Sequence, residues 1–154
     1  MNNGNQLQTI IKNDNYFNIN RPIRVLIAED NEINSEIINR FLQILPSKID
    51  NAVNGKIAVE LFTSNDYDFI IMDMRMPIMD GYEATKAIRE IEKNRDNGNV
   101  TIFALSASAT TEEVQKSFES GCNEHLSKPI KKAVLFEMML KYYNSIKQNS
   151  KLKN

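Results

Sequence analysis

The chain is poor in the residues that staple, anchor or export a protein. It holds one cysteine, no tryptophan and one histidine in 154 residues. With Cys122 alone no intrachain disulfide can form, which suits a reducing compartment, and a cytoplasmic location is the expectation. Apolar runs stop near four or five residues, far short of the about 20 that a membrane span needs. The N-terminus lacks the basic start and apolar stretch of a secretory signal, so neither export nor membrane contact by this segment is expected. There is no excess of positive charge either, with 19 Lys and Arg against 20 Asp and Glu. That balance offers no basic stripe for nucleic acid. Lys131, Lys132, Lys141, Lys147, Lys151 and Lys153 bias the C-terminus positive, which a solvated helix face explains.

What is present is ordinary in bulk and ordered in pattern. The 42% hydrophobic and 25% charged fractions are those of a globular protein. At this length one domain can bury roughly two-thirds of its unfolded surface. Residues 1–21 read as a disordered Asn-rich tail carrying only scattered apolar side chains (Leu7, Ile10, Ile11, Phe17), 22–147 as the domain, and 148–154 as a C-terminal tail. Within the domain, short apolar strands alternate with helical periodicity. Arg24–Ala28 reads as a strand. Ile33, Ile37, Ile38, Phe41, Leu42 and Leu45 stripe a helix that Pro46 closes. A strand near Lys48–Val53 precedes a short helix with Ala58, Leu61 and Phe62, and residues 68–72 form the third strand. Ala84, Ala87, Ile88 and Ile91 mark the next helix, and Val100–Leu105 the fourth strand. Val114 and Phe118 place a helix over 110–120, capped by Gly121. Glu124–Ser127 is a short fifth strand, and Leu135, Met138, Met139 and Tyr142 stripe the last helix. Five βα units argue an α/β fold, a parallel sheet with helices on both faces.

The chemistry gathers at the strand ends. The run Phe69-Ile70-Ile71-Met72 closes on Asp73, and the first strand closes on Glu29-Asp30. The fourth ends at Ser106 and the fifth at Lys128-Pro129. The carboxyl edge of a parallel sheet is where such folds bind ligands. Three carboxylates that converge raise each other's pKa unless a cation holds them, so the cluster asks for a hard, oxygen-seeking metal, Mg²⁺ or Mn²⁺. A hydroxyl and an ammonium beside it would complete a clamp for a phosphoryl group. Met72, Met74, Met76 and Met79 could suggest a soft metal site; strand alternation sends them to different faces, and core packing is the better reading.

In this order and spacing, Glu29-Asp30, Asp73 with its Met76-Pro77 and Asp80-Gly81, Ser106-Ala107 and Lys128-Pro129 resemble the receiver domains of two-component response regulators over residues 22–145. Asn31, Asn34 and the segment Asp80–Thr85 look most like receivers attached to hybrid histidine kinases. The resemblance implies a flavodoxin-like (βα)5 sandwich with strand order 2-1-3-4-5. It implies that Asp73 is the phosphoacceptor, taking a phosphoryl group from a phosphohistidine on a histidine kinase or histidine phosphotransfer protein. Asp30, Asp73 and the Arg75 backbone carbonyl would bind the metal, Glu29 mainly through a water, while Ser106 and Lys128 would hold phosphoryl oxygens. Such a domain catalyses its own phosphorylation and dephosphorylation without turning over a separate substrate. The resemblance further implies a cis Lys128-Pro129 bond, lifetime tuning by Arg75 and Ser108, a phosphodonor face near residues 34–41, and an output face over 110–142 through which weak homodimers form. It allows a piece of a hybrid kinase, hence the cytoplasmic part of a membrane protein, as well as a stand-alone receiver. His125 departs from the pattern. It takes the place of the usual aromatic switch that turns inward when Ser106 moves, and imidazole is smaller and can be charged near neutral pH.

Blander readings exist for each residue. Glu29-Asp30 also suits a helix start, Ser106 a strand cap, Lys128 a loop lysine and His125 half-buried packing. Three rivals remain beside the phosphoacceptor: a receiver that signals only by docking, an FMN protein, and an aspartyl-phosphate phosphatase. Glu29-Asp30 would repel the FMN phosphate from a first loop without a Gly-rich cradle. Arg75 stands where the phosphatases place their second Asp.

Overall fold

The computed structural model describes residues 21–152, so the expected Asn-rich tail lies outside the described residues except for Arg21. Strands β1 (Ile23–Ala28), β2 (Ser47–Ala52), β3 (Phe69–Asp73), β4 (Thr101–Ser106) and β5 (Glu124–Ser127) form one parallel sheet in the order β2-β1-β3-β4-β5. Helices α1 (Glu32–Leu42), α2 (Gly55–Ser64), α3 (Gly81–Glu92), α4 (Thr111–Ser120) and α5 (Lys132–Leu152) connect and follow them. The architecture is the one expected. The last helix continues past residue 147, where the domain was expected to end.

Side-chain alternation divides the central strands between two cores. Val25 and Ile27, Phe69 and Ile71, and Phe103 and Leu105 face α1 and α5, where Ile38, Leu42, Leu135 and Met139 close over them. Leu26 and Ala28, Ile70 and Met72, and Ile102 and Ala104 face the other way, onto Ala58 and Phe62 of α2 and Ala84 and Ile88 of α3. These strands are covered on both faces, which is why their sequences read as continuous apolar runs. At the edge, β2 carries Lys48, Asp50 and Asn51 and is only partly buried.

Local chemistry sets the helix starts. Asn31, Asn54, Asp80 and Thr110 each accept a hydrogen bond from the backbone three residues on. Asp80 and Glu83 form a reciprocal capping box. Gly121 ends α4 at φ 114°, a left-handed position that suits glycine.

Three expectations about helix faces are corrected. Ile33 is 68% and Ile37 41% exposed, so the buried stripe of α1 narrows to Ile38 and Leu42. That helix ends at Leu42, before Pro46, and Leu45 is buried from the connecting loop instead. On α4, Phe118 is 45% exposed while Ser117 and Ser120 face inward. The two hydroxyls bond back to Val114 O and Ser117 O, so the serines bury without losing their hydrogen bonds. Met72, Met74 and Met76 do pack in the core, but together in the α2–α3 cluster, since residues two apart share a face rather than falling on different ones.

Candidate functional site

Strand register assembles the site. Ala28 of β1 lies opposite Met72 of β3, so Glu29-Asp30 and Asp73 follow from matched positions on neighbouring strands. Asp73 lies opposite Leu105, which puts Ser106 one step further along β4. Ser106 lies opposite Ser127 of β5, with Lys128 next. Parallel pairing alone brings Glu29, Asp30, Asp73, Ser106 and Lys128 to one rim.

Ligand oxygens of Glu29, Asp30 and Asp73 all lie within 4.8 Å of one another, with Glu29 and Asp73 buried and Asp30 exposed. The Lys128 ammonium is 3.0 Å from Glu29 Oε2 and 3.1 Å from Asp73 Oδ2. The backbone N–H of Asn31 donates to Glu29 Oε1 and that of Arg75 to Asp73 Oδ1. Glu29 Oε2 and Asp73 Oδ2 are still buried without a hydrogen-bond partner, since Lys128 is near enough to attract them but off the bonding direction. Burial first, and the Glu29 charge second, push the Asp73 carboxyl from 3.8 up to about 7, against the pull of the Arg75 N–H and Lys128. Burial would lower Lys128, yet Glu29 and Asp73 hold it above its ordinary value. One ammonium thus faces three carboxylates, two of them with an orphaned buried oxygen. Hard oxygen donors, negative charge in excess and an exposed edge at Asp30 fit a divalent cation of the Mg²⁺ type.

The loop after Asp73 is held tightly. Gly81 N–H donates to Met74 O and Gly55 N–H to Met79 O. A Cβ at Gly81 would lie 2.3 Å from Asp73 O, and one at Gly55 2.4 Å from Met79 O. The Asp80-Gly81 pair therefore has two duties: the acid caps α3, and the glycine lets that helix begin against the backbone of the Asp73 strand end. Between them Ile78 takes φ 72°, a conformation a β-branched residue rarely adopts. The Lys128-Pro129 peptide bond on the far side of the site is cis.

Ser106 and His125 are joined. The Ser106 hydroxyl donates to Ser108 O and lies 2.9 Å from His125 Nε2. The half-buried ring is turned inward, with Nδ1 3.2 Å from Ser117 Oγ of α4. Across the mouth the Arg75 guanidinium pairs with Glu113 of α4. Sequence reading missed Ser117, Glu113, Gly55 and the packing role of Gly81. Ser117 lies three residues from Val114, on the same side of α4, and only the weight given to Phe118 hid it.

A parallel sheet in this order with an acid triad, a hydroxyl and a lysine on its carboxyl rim defines a class of phosphoryl-handling signalling domain. Residues 25–140 match the model of the response regulator receiver domain, and the chain belongs to that family. It is 39% identical over 130 residues to hybrid signal transduction histidine kinase B of Dictyostelium discoideum, covering 79% of this chain and 7% of that protein. It is 41% identical over 109 residues to the peroxide stress-activated histidine kinase mak1 of Schizosaccharomyces pombe, covering 69% of this chain and again 7% of the relative. The chain thus spans a small fraction of the kinases it matches. Among solved structures it is similar to a chain of the co-crystal of the Saccharomyces cerevisiae histidine phosphotransfer protein Ypd1 with the receiver domain of Ssk1, at 34% identity and TM-score 0.74, covering 80% of this chain and 90% of that one. It is also similar to the receiver domain of a Pseudomonas aeruginosa sensor histidine kinase with magnesium in its active site cleft, at 33% identity and TM-score 0.72, covering 80% and 98%. Among the described residues no helix is long and apolar enough to cross a membrane.

Proposed function

We propose that this chain is a phosphoacceptor of a phosphorelay, and that Asp73 carries the phosphoryl group. The observation behind this reading is the buried Asp73 carboxylate, with one oxygen unpartnered, beside two further acids and a lysine. A carboxylate oxygen of Asp73 attacks the phosphorus of a phosphohistidine, the P–N bond breaks, and the departing imidazole keeps the electron pair and takes up a proton. The product is an acyl phosphate. Asp30, Asp73 and the Arg75 carbonyl would hold Mg²⁺ directly and Glu29 through a water; when bound, the ion supplies positive charge against the phosphoryl oxygens. Lys128 supplies the second positive charge, and Ser106 gives its hydrogen to a phosphoryl oxygen after leaving Ser108 O. Because the cluster raises Asp73, the carboxyl attacks most readily once cations have drawn off its proton.

The partner is a histidine kinase or a histidine phosphotransfer protein, and docking near residues 34–41 is supported by the exposure of Ile33 and of Ile37, the latter beside Lys128 and Pro129. The apolar strip of Val114 and Phe118 on α4 supports an output face over 110–142 that pairs weakly with a second copy. We place the domain, residues 22–147, in the cytoplasm. The test is incubation with acetyl phosphate and Mg²⁺. Wild type should gain one phosphate and Asp73→Asn none; label that survives the substitution sinks the assignment.

A further inference from the structure

The dipeptide Asn-Gly occurs three times, at Asn3-Gly4, Asn54-Gly55 and Asn97-Gly98, and the described residues include the last two. The pair is chemically weak. A backbone nitrogen that attacks the side-chain carbonyl of the preceding asparagine closes a succinimide ring, and glycine, with no Cβ, obstructs that approach least. Ring closure needs both the nitrogen and the amide to be free. The two described copies differ in both respects.

Asn54-Gly55 is locked. Asn54 is 6% exposed and caps α2, its Oδ1 accepting from the Ile57 N–H at 2.9 Å. The attacking atom would be the Gly55 nitrogen, whose N–H donates to Met79 O at 3.0 Å. Closing the ring there breaks both bonds and pulls the cap off the helix. Asn97-Gly98 is open. It lies between α3 and β4, and both residues are exposed. The Asn97 amide donates to Asp66 Oδ1 at 2.8 Å, a surface contact that water replaces. The Gly98 N–H has no hydrogen-bond partner among the described residues, and a Cβ at Gly98 would meet nothing within 4 Å. The loop is pinned on either side of the pair instead, where Arg95 donates to Phe62 O and Thr63 O and the Val100 N–H donates to Glu92 Oε1.

We propose that Asn97-Gly98 is a site of spontaneous covalent modification, converted through a succinimide to aspartate and isoaspartate, while the fold protects the identical pair at Asn54-Gly55. The Gly98 nitrogen gives its proton to solvent and bonds to Asn97 Cγ. The Cγ–Nδ2 bond then breaks, and ammonia leaves after taking up a proton. Water opens the ring at one carbonyl to give aspartate or at the other to give isoaspartate. Water enters, ammonia departs, and the loop gains a negative charge. The new carboxylate has lost the N–H that bonded Asp66 and faces that acid instead. Arg24 at 3.9 Å and Arg95 at 4.0 Å from Asp66 offset part of the repulsion. The isoaspartate route also lengthens the main chain ahead of Val100. Because this loop leads into β4 it sits on the amino rim, away from the acid cluster, and the proposal stands apart from the phosphoacceptor reading.

The test ages the full chain in mildly alkaline buffer, which favours loss of the amide proton, and follows each Asn-Gly peptide by mass spectrometry. The Asn97 peptide should convert while the Asn54 peptide stays intact. In urea, where the fold no longer protects Asn54, the two should convert at similar rates. Asn97→Gln keeps an amide that closes a ring far less readily and should leave that peptide unmodified, and Gly98→Ala should slow conversion several-fold. Conversion of Asn97 no faster than that of Asn54 in the folded chain would overturn the proposal. So would an Asn54 peptide that stays intact in urea, because its protection would then owe nothing to the fold.

Discussion

Strand β3 has a buried acid at each end, and the two are treated in opposite ways. Asp68, just before the strand, is 8% exposed and fully bonded: the Arg21 guanidinium grips both oxygens at 2.8 Å, and the Arg24 backbone N–H adds a third bond at 2.8 Å. Burial alone would push its carboxyl up, but these partners outweigh burial and hold it below the ordinary value. Asp73, at the other end, is 2% exposed and shares its space with Glu29 and Asp30. Burial and the Glu29 charge push it up to about 7. Five residues apart, one acid stabilises the fold and the other is held in a state that a cation or a phosphoryl group relieves. The amino rim of the sheet is built for stability and the carboxyl rim for reaction.

Substitution at the two acids is the strongest way to break this contrast. Asp68→Ala strips Arg21 and the Arg24 N–H of their acceptor and should destabilise the protein by about 3 kcal/mol, measured as a lower urea midpoint. Asp73→Asn, in metal-free buffer near pH 8, should do the reverse and stabilise by about 2 kcal/mol, because it removes one of three crowded charges. A lower melting temperature for Asp73→Asn would show that the cluster is not strained.

Mg²⁺ sharpens the same comparison at smaller scale. At ten times its Kd it should stabilise wild type by about 1.4 kcal/mol and leave Asp73→Asn nearly unchanged, while Asp68→Asn keeps the full increment. The pH dependence carries opposite signs at the two ends. For Asp73 the folded value is about 7 against an ordinary 3.8, so between those values the unfolded chain has lost a proton that the folded chain keeps. Its contribution to metal-free stability therefore falls as pH rises through that window. Asp68 is lowered, so its contribution is present above the ordinary carboxylate value and is lost as pH falls below it. Melting curves in EDTA should show the alkaline-side loss vanish in Asp73→Asn and the acid-side loss shrink in Asp68→Asn. The smallest effect belongs to the loop: Ile78→Gly relieves a positive φ and should stabilise by about 1 kcal/mol without changing acetyl phosphate labelling.

The reactive rim was far more legible in the sequence than the stable one. Glu29, Asp30, Asp73, Ser106 and Lys128 each interrupt an apolar or turn pattern, and an interrupted pattern is a strong signal. Arg21 and Asp68 meet across 47 positions in a region that reads as tail and turn, and nothing local announces them. Helix faces were legible only where one stripe was apolar. On α4 Phe118 faces out and the serines in, because the helix packs against β5 and the polar ring of His125. The exposure of Ile33 and Ile37 escaped the periodicity for a related reason, since spacing defines a face without saying how much of it is covered. Gly55 and Gly81 carry no local signal of their role, because each is required by backbone passing closer than a side chain permits.

The return of α5 carries one more consequence. The helix leaves the reactive rim at Lys132 and by Tyr143 is back among the charges of Asp68 and Arg21 at the opposite rim. The described chain also enters the sheet at that rim, through Arg21 and Ile23. Entry and exit share one pole while the acids occupy the other. A longer polypeptide can carry this domain like a bulb on a stalk, with flanking sequence on either side joined at the base and the acid cluster turned outward to whatever protein approaches.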